Sequence, residues 1–174
     1  KIAADQLAIS YEKSFGLPIT ILRPFNTYGP RQSARAIIPT IISQILKKNV
    51  INLGLLHPTR DFTYIEDTVD GFIKSIPGKK NIGEIINIGS GFEVSVKQLV
   101  HKISKLMGKK VKIKSKKDRL RPETSEVYRL CAYTSKAKKI IGWKPKYSSQ
   151  KGFEKGLLKT IKWFSKKENL NFYK

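Results

Sequence analysis

Apolar residues recur along this chain at two spacings, and the alternation between them predicts its architecture. Residues 95–107 set Val96, Leu99, Val100, Ile103, Leu106 and Met107 on one helical stripe. Ser95 and Gln98 have the spacing of a capping box before that stripe, and Gly108 closes it. A second helix carries Ile37, Ile38, Ile41, Ile42, Ile45 and Leu46 on one side, with Pro39 confined to its first turn. The span from Glu66 to Ile76 predicts a third, with Val69, Phe72, Ile73 and Ile76 on one face and Pro77-Gly78 as its end. Phe153, Leu157, Ile161 and Phe164 mark a C-terminal helix, and residues 134–141 a short one stopped by Gly142.

Between these helices lie short β-branched runs. "LPITILR" at 17–23 and "EIINIGSG" at 84–91 read as buried strands of parallel type. "VINLG" ends a further strand at Gly54, and "RDFTYI" alternates Phe62 and Tyr64 against Asp61 and Thr63. Strands alternating with helices define an α/β chain. The first fifteen residues read as helix, with Ala4, Ala8, Tyr11 and Phe15 in register and Gly16 as the stop. Nothing at Lys1 caps that helix, and a lysine opposes the positive end of the helix dipole, so the pattern predicts further chain upstream.

Composition narrows the classes. At 174 residues, 40% hydrophobic and 28% charged, the chain has the length and balance of one folded domain. Its single cysteine, Cys131, excludes an internal disulfide and a cysteine-cluster metal site. No run reaches membrane-spanning length and no signal peptide is seen, so a cytoplasmic location is expected and no membrane partner. The formal charge of +22 raises the question of nucleic acid. The densest patch, "GKKVKIKSKKDRLR", lacks interleaved aromatics, and lysine outnumbers arginine. A lysine-rich solvated surface is the reading, with no specific nucleic-acid partner. His57 and His101 have no metal-ligand spacing and read as loop and surface residues.

Four clusters hold more polar chemistry than folding requires. "RPFN" puts Arg23, Phe25 and Asn26 just past a strand, and "TRDF" sets Arg60 and Asp61 at the start of another. "RLRPE" holds Arg119 and Arg121 before a stiffening proline, and "NIGSG" ends a strand in glycines that permit close backbone approach. Separated arginines at loop edges are what a diphosphate needs, since each guanidinium fork takes two oxygens. Spacing does not show that they converge, and a surface ion pair is the competing account for any one of them. A glycine-rich dinucleotide fingerprint is absent.

The ordered set "KIAAD", "RPFNTYGPRQ", "IIPTII", "TRDFTYIEDT", "INIGSG", "LRPETSEV" and "TSKAKKIIGWKP" resembles the extended short-chain dehydrogenase/reductase family, the NAD-dependent epimerases and dehydratases of nucleotide sugars. Within it, "RQSARAIIPTIISQI" and "RLRPETSEV" look most like 4,6-dehydratases acting on nucleotide-activated N-acetylglucosamine, of the legionaminic-acid pathway type. The resemblance implies the C-terminal part of an NAD-binding Rossmann-type parallel sheet plus a small α/β substrate-binding domain. Residues 1–33 would end the NAD-binding domain, and 34–174 would be mainly substrate-binding, with strand 84–88 returning to the Rossmann sheet. The implied reaction is NAD-dependent oxidation at the fourth sugar carbon, loss of water across carbons five and six, and hydride return. A 4-epimerase, or a noncatalytic nucleotide-sugar-binding remnant, stands as the alternative.

The resemblance also implies site residues. Lys1 would be the lysine of the family's Tyr-x-x-x-Lys pair, at once catalytic and cofactor-binding, with its tyrosine four positions upstream. Pro24 and Phe25 would border the nicotinamide. Asn26 would bond the sugar diphosphate, Arg60 and Arg121 would clamp it, and Ala36, Ile37, Ile51 and Leu53 would line the base slot. An apolar strand and helix face would serve equally as core at those last positions. No metal is implied, and the parent enzyme would be a homodimer. Where the family often has Asp or Asn ahead of its "SK" helix this chain has Tyr133, with Thr134 left to cap that helix.

Overall fold

The computed structural model describes residues 1–76, 78–115 and 125–171. Helix α1, Ile2–Phe15, ends at Gly16, whose φ of 63° is the left-handed turn foreseen there. It leads into β1, Ile21–Pro24, and β2, Asn26–Tyr28. Helix α2, Ile37–Lys47, is followed by β3, Val50–Leu53, and β4, Thr59–Tyr64. Next come α3, Ile65–Ser75, then β5, Ile85–Ile88, and β6, Glu93–Ser95. Helix α4, Val96–Leu106, precedes β7, Lys112–Ser115. Finally β8, Arg129–Leu130, leads to α5, Ser135–Ile141, α6, Gln150–Phe164, and α7, Lys167–Asn171.

Three sheets organise these strands. β1 pairs in parallel with β5, Ile21 opposite Ile85. β3 pairs in parallel with β7. β4 is the hub of the third sheet: its end pairs in parallel with β2, and its beginning lies between antiparallel β6 and parallel β8. The main core packs α2, α4 and α6 against this hub, with Ile41, Ile42, Leu99, Ile103, Phe153 and Leu157 buried at its centre. Helix α6 lies so close to β2 that a side chain at Gly156 would run into the Tyr28 hydroxyl. A smaller cluster joins Ile86 and Ile88 of β5 to Ala137 of α5 and Trp143.

The capping box of α4 is present in full: Gln98 N donates to Ser95 Oγ at 3.1 Å, and Ser95 N to Gln98 Oε1 at 2.9 Å. Several expectations need correction. β1 begins at Ile21 rather than residue 17, because a tight turn, Ile19 N to Leu17 O at 2.8 Å, follows Leu17. The stripe expected on α1 does not face the chain: Asp5, Ala8, Ile9 and Glu12 are half-buried, whereas Ala4, Tyr11 and Phe15 are exposed. Helix α3 is inverted. It buries Asp67, Thr68 and Gly71, and leaves Phe72, Ile73 and Ile76 at 46%, 59% and 80% exposure.

Physical reasons are visible for both features of this region. The Asp67 carboxylate accepts from Lys146 N and Tyr147 N, each at 2.8 Å, and pulls that polar edge inward. A side chain at Gly71 would meet Ile88 and Trp143 at 3.0–3.3 Å, so glycine lets α3 pack close to β5 without displacing them. The alternation read in β4 is not matched by its burial, because both faces are covered: Phe62 and Tyr64 enter the main core, while Asp61 and Thr63 are buried as well. Leu46 ends up exposed on α2. Thr134 occupies the N-cap of α5 but makes no side-chain cap bond, and Tyr133 is exposed. Pro77, Arg119 and Arg121 lie outside the described residues.

Candidate functional site

A cleft of about 670 Å³ opens where β2 and β4 face the head of α2. Asn26 and Thr27 come from β2, Arg60 and Phe62 from β4. The opposite wall is the loop after β2, through Gln32, Arg35 and Ala36, and the first turn of α2 at Ile37 and Thr40. Leu53, Gly54 and Leu55 continue the lining from the end of β3, and Glu126 adds a carboxylate.

Local folding fixes these groups. Gln32 Nε2 donates to Thr27 O at 2.7 Å and ties the loop to β2, which leaves Gln32 Oε1 buried without a partner among the described residues. Thr40 Oγ1 donates to Ala34 O at 2.9 Å and staples the loop to α2. Arg60 Nη1 donates to the Thr59 carbonyl at 2.8 Å, and Nη2 to Glu126 Oε1 at 3.0 Å. Arginine is the residue for this place, since its fork keeps free donors after two are used.

The next residue on β4 points its chemistry elsewhere. The fully buried Asp61 accepts from Ser90 N at 2.8 Å, Ser90 Oγ at 2.6 Å, Gly91 N at 2.8 Å and Ala132 N at 3.1 Å. This carboxylate binds the "NIGSG" turn to the strand beside the cleft, a structural task the sequence motif did not reveal. Gly89 is what allows the approach, because a Cβ there would collide with Ala132 Cβ. The Cys131 thiol in the same loop has its pKa raised by burial first and by the Asp61 charge second.

The residues nominated from sequence divide into two groups. Asn26, Ala36, Ile37, Leu53 and Arg60 share the cleft. Ile51 does not line it: fully buried, it belongs to the main core. Lys1 is exposed at the start of α1, Pro24 ends β1 and Phe25 follows it, with Phe25 N bonded to Ile88 O at 2.8 Å. These three lie on the β1–β5 side, where Arg23 grips Asp5 of α1 at 2.7 Å. Arg23, one of the four placed clusters, is thus an ion-pair residue outside the cleft lining.

Thr27, Gln32, Arg35, Thr40 and Glu126 also line the cleft without having been nominated. Their signal was proximity: Gln32 and Arg35 interrupt the run between "NTYGP" and the apolar α2, and Glu126 follows "LRPETS". His57 stacks on Tyr128 with ring centroids 5.4 Å apart, and His101 is exposed. Among the described residues no group of His, Cys, Asp or Glu is arranged to hold a metal ion, and no helix is long and apolar enough to cross a membrane.

With this geometry in hand, similarity to known proteins is extensive. The family model described as GDP-mannose 4,6 dehydratase matches residues 1–156. UDP-glucuronate 4-epimerase of Thermodesulfobacterium geofontis is 35% identical over 177 aligned residues, covering 100% of this chain and 51% of that protein. Human dTDP-D-glucose 4,6-dehydratase is 33% identical over 183, covering 100% of this chain and 49% of its own length. In three dimensions, UDP-glucuronic acid 4-epimerase from Bacillus cereus, solved with UDP-glucuronic acid and NAD, superposes with a TM-score of 0.84 at 32% identity. That match covers 94% of this chain and 50% of the other. The chain spans about half the length of the curated relatives it matches.

Proposed function

We propose, because this chain belongs to the extended short-chain dehydrogenase/reductase family through its match to the GDP-mannose 4,6 dehydratase type, that it is the C-terminal, substrate-binding half of an NAD-dependent nucleotide-sugar 4,6-dehydratase. The observation that carries the reading is the convergence of Asn26, Arg60 and the apolar Ala36, Ile37 and Leu53 on one cleft. Arg60 is anchored by the Thr59 carbonyl and keeps donors for phosphate oxygens. Asn26, exposed at the start of β2, offers an amide to the same diphosphate. Ala36 and Ile37 oppose Leu53 across a slot suited to a flat base. Arg121 is the second clamp in this proposal. The substrate class is a nucleoside-diphosphate sugar of the N-acetylglucosamine type.

The residues present fit one edge of NAD. Pro24 and Phe25 leave β1 beside a glycine turn that a side chain at Gly89 would block, and Lys1 stands exposed on the adjoining helix. When bound, NAD accepts and returns a hydride. On this reading Lys1 holds the cofactor's ribose and favours the ionised form of a neighbouring acid/base group, while Pro24 and Phe25 shield the ring from water. Asn26 follows directly and would fix the sugar on the other side of that wall.

A 4-epimerase is the second reading, favoured by the 35% identical epimerase relative. The experiment joins this chain to the N-terminal half of a relative and supplies UDP-N-acetylglucosamine with NAD. A 4-keto product lighter by one water supports the dehydratase. An isomer of unchanged mass supports the epimerase, and no conversion with undiminished binding in Arg60→Ala rejects both.

A further inference from the structure

The cleft holds one feature at odds with an anion site: a carboxylate already sits on its arginine. Glu126 Oε1 lies 3.0 Å from Arg60 Nη2, with side-chain exposures of 8% and 18%. A guanidinium fork recognises carboxylate and phosphate oxygens in the same way, so Glu126 occupies the place a ligand oxygen would take. The other nearby acids are committed elsewhere. Glu93 is held by both Arg129 and Thr59, and Asp61 is sunk into the "NIGSG" turn. Among the described residues Glu126 is therefore the one carboxylate lining this cleft.

Resting on the reading that Arg60 clamps a diphosphate, we infer that Glu126 is an affinity-setting residue: it stands in for phosphate on Arg60 and is displaced when a nucleoside diphosphate binds. Two facts distinguish this from a positioning role. The Nη1 bond to Thr59 O holds the guanidinium in place without Glu126. Glu126 itself belongs to no helix or strand and lies between exposed Ser125 and Val127, so it can leave without breaking a β-ladder. Retaining it beside a diphosphate would leave like charges facing each other within a largely desolvated pair. Binding is thus reduced by the fraction of molecules in which Arg60 is free, and removing the carboxylate raises that fraction.

The test titrates UDP by calorimetry into the 174-residue chain and its Glu126→Gln, Arg60→Ala and doubly substituted variants. Glu126→Gln is expected to bind UDP about fivefold tighter or more. Arg60→Ala binds it weakly, and the double variant binds no better than Arg60→Ala. Thermal melts check folding, and Glu126→Ala repeats the contrast without an amide that can bond Arg60. Equal or weaker binding by both Glu126 variants, with Arg60→Ala impaired, overturns this inference alone. Undiminished binding by Arg60→Ala overturns the diphosphate reading beneath it.

Discussion

Helices α2 and α3 are each eleven residues long and amphipathic, yet the molecule treats them oppositely. Ile41, Ile42 and Ile45 of α2 are 0–2% exposed, sealed by α4 and α6. The isoleucine and phenylalanine stripe of α3 faces outward, as do Ile2, Leu7, Tyr11 and Phe15 of α1. The region around β4 completes its own core, while the β1–β5 region presents apolar side chains and a two-stranded sheet. An apolar stripe thus marks a face built for contact without saying whether its mate lies within the described residues.

The largest effect should come from the polar hub that joins the two regions. Asp61→Ala removes the acceptor of the backbone N–H groups of Ser90, Gly91 and Ala132 and of the Ser90 and Thr63 hydroxyls, and should destabilise the chain by about 4 kcal/mol, read by urea denaturation. A matched pair of truncations then tests the contrast itself. Ile42→Ala should cost about 3 kcal/mol, and Ile73→Ala less than about 0.5 kcal/mol. Similar losses at both sites would mean that the α3 stripe is covered in solution. Ser95→Ala removes the capping box of α4 and should cost about 1 kcal/mol by the same method.

The smallest effect is in the acid limb. The Glu66 carboxyl lies below its usual range, chiefly through the hydrogen bond from Lys159 and further through the Tyr147 hydroxyl. Its stabilisation is therefore present above the unfolded value and is lost as pH falls through the lower folded one. Both side chains are about half exposed, so the contribution stays below about 1 kcal/mol. Asp67 works in the other direction: burial raises its pKa, so its effect on stability declines as pH rises through that range. Glu66→Gln should flatten the acid loss in a pH series of thermal melts, and an unchanged slope would remove Glu66 as a contributor.

Local patterns with local causes were legible in the sequence. Ser95 with Gln98, Gly16, Gly142 and the α6 stripe all reflect interactions within a few residues. The short strands β2, β6, β7 and β8 were not legible, because each of three or four residues or fewer is defined by its partner rather than its own pattern. The α3 inversion escaped for the same reason: Asp67 is buried by amides 79 and 80 residues away. In the cleft, Asn26 and Arg60 stood out as polar groups at strand ends. Glu126 did not, since an acid among basic residues looks like an ordinary surface charge until its partner is seen.

The most direct measurement of the central claim follows amide shifts of the isotope-labelled chain by NMR during a UDP titration. The account predicts saturable changes at Asn26, Gln32, Ala36, Ile37, Leu53 and Arg60, the residues of the cleft. Changes confined to the lysine-rimmed groove at Lys97, Lys105, Lys109 and Lys110, disappearing with added salt, would contradict it.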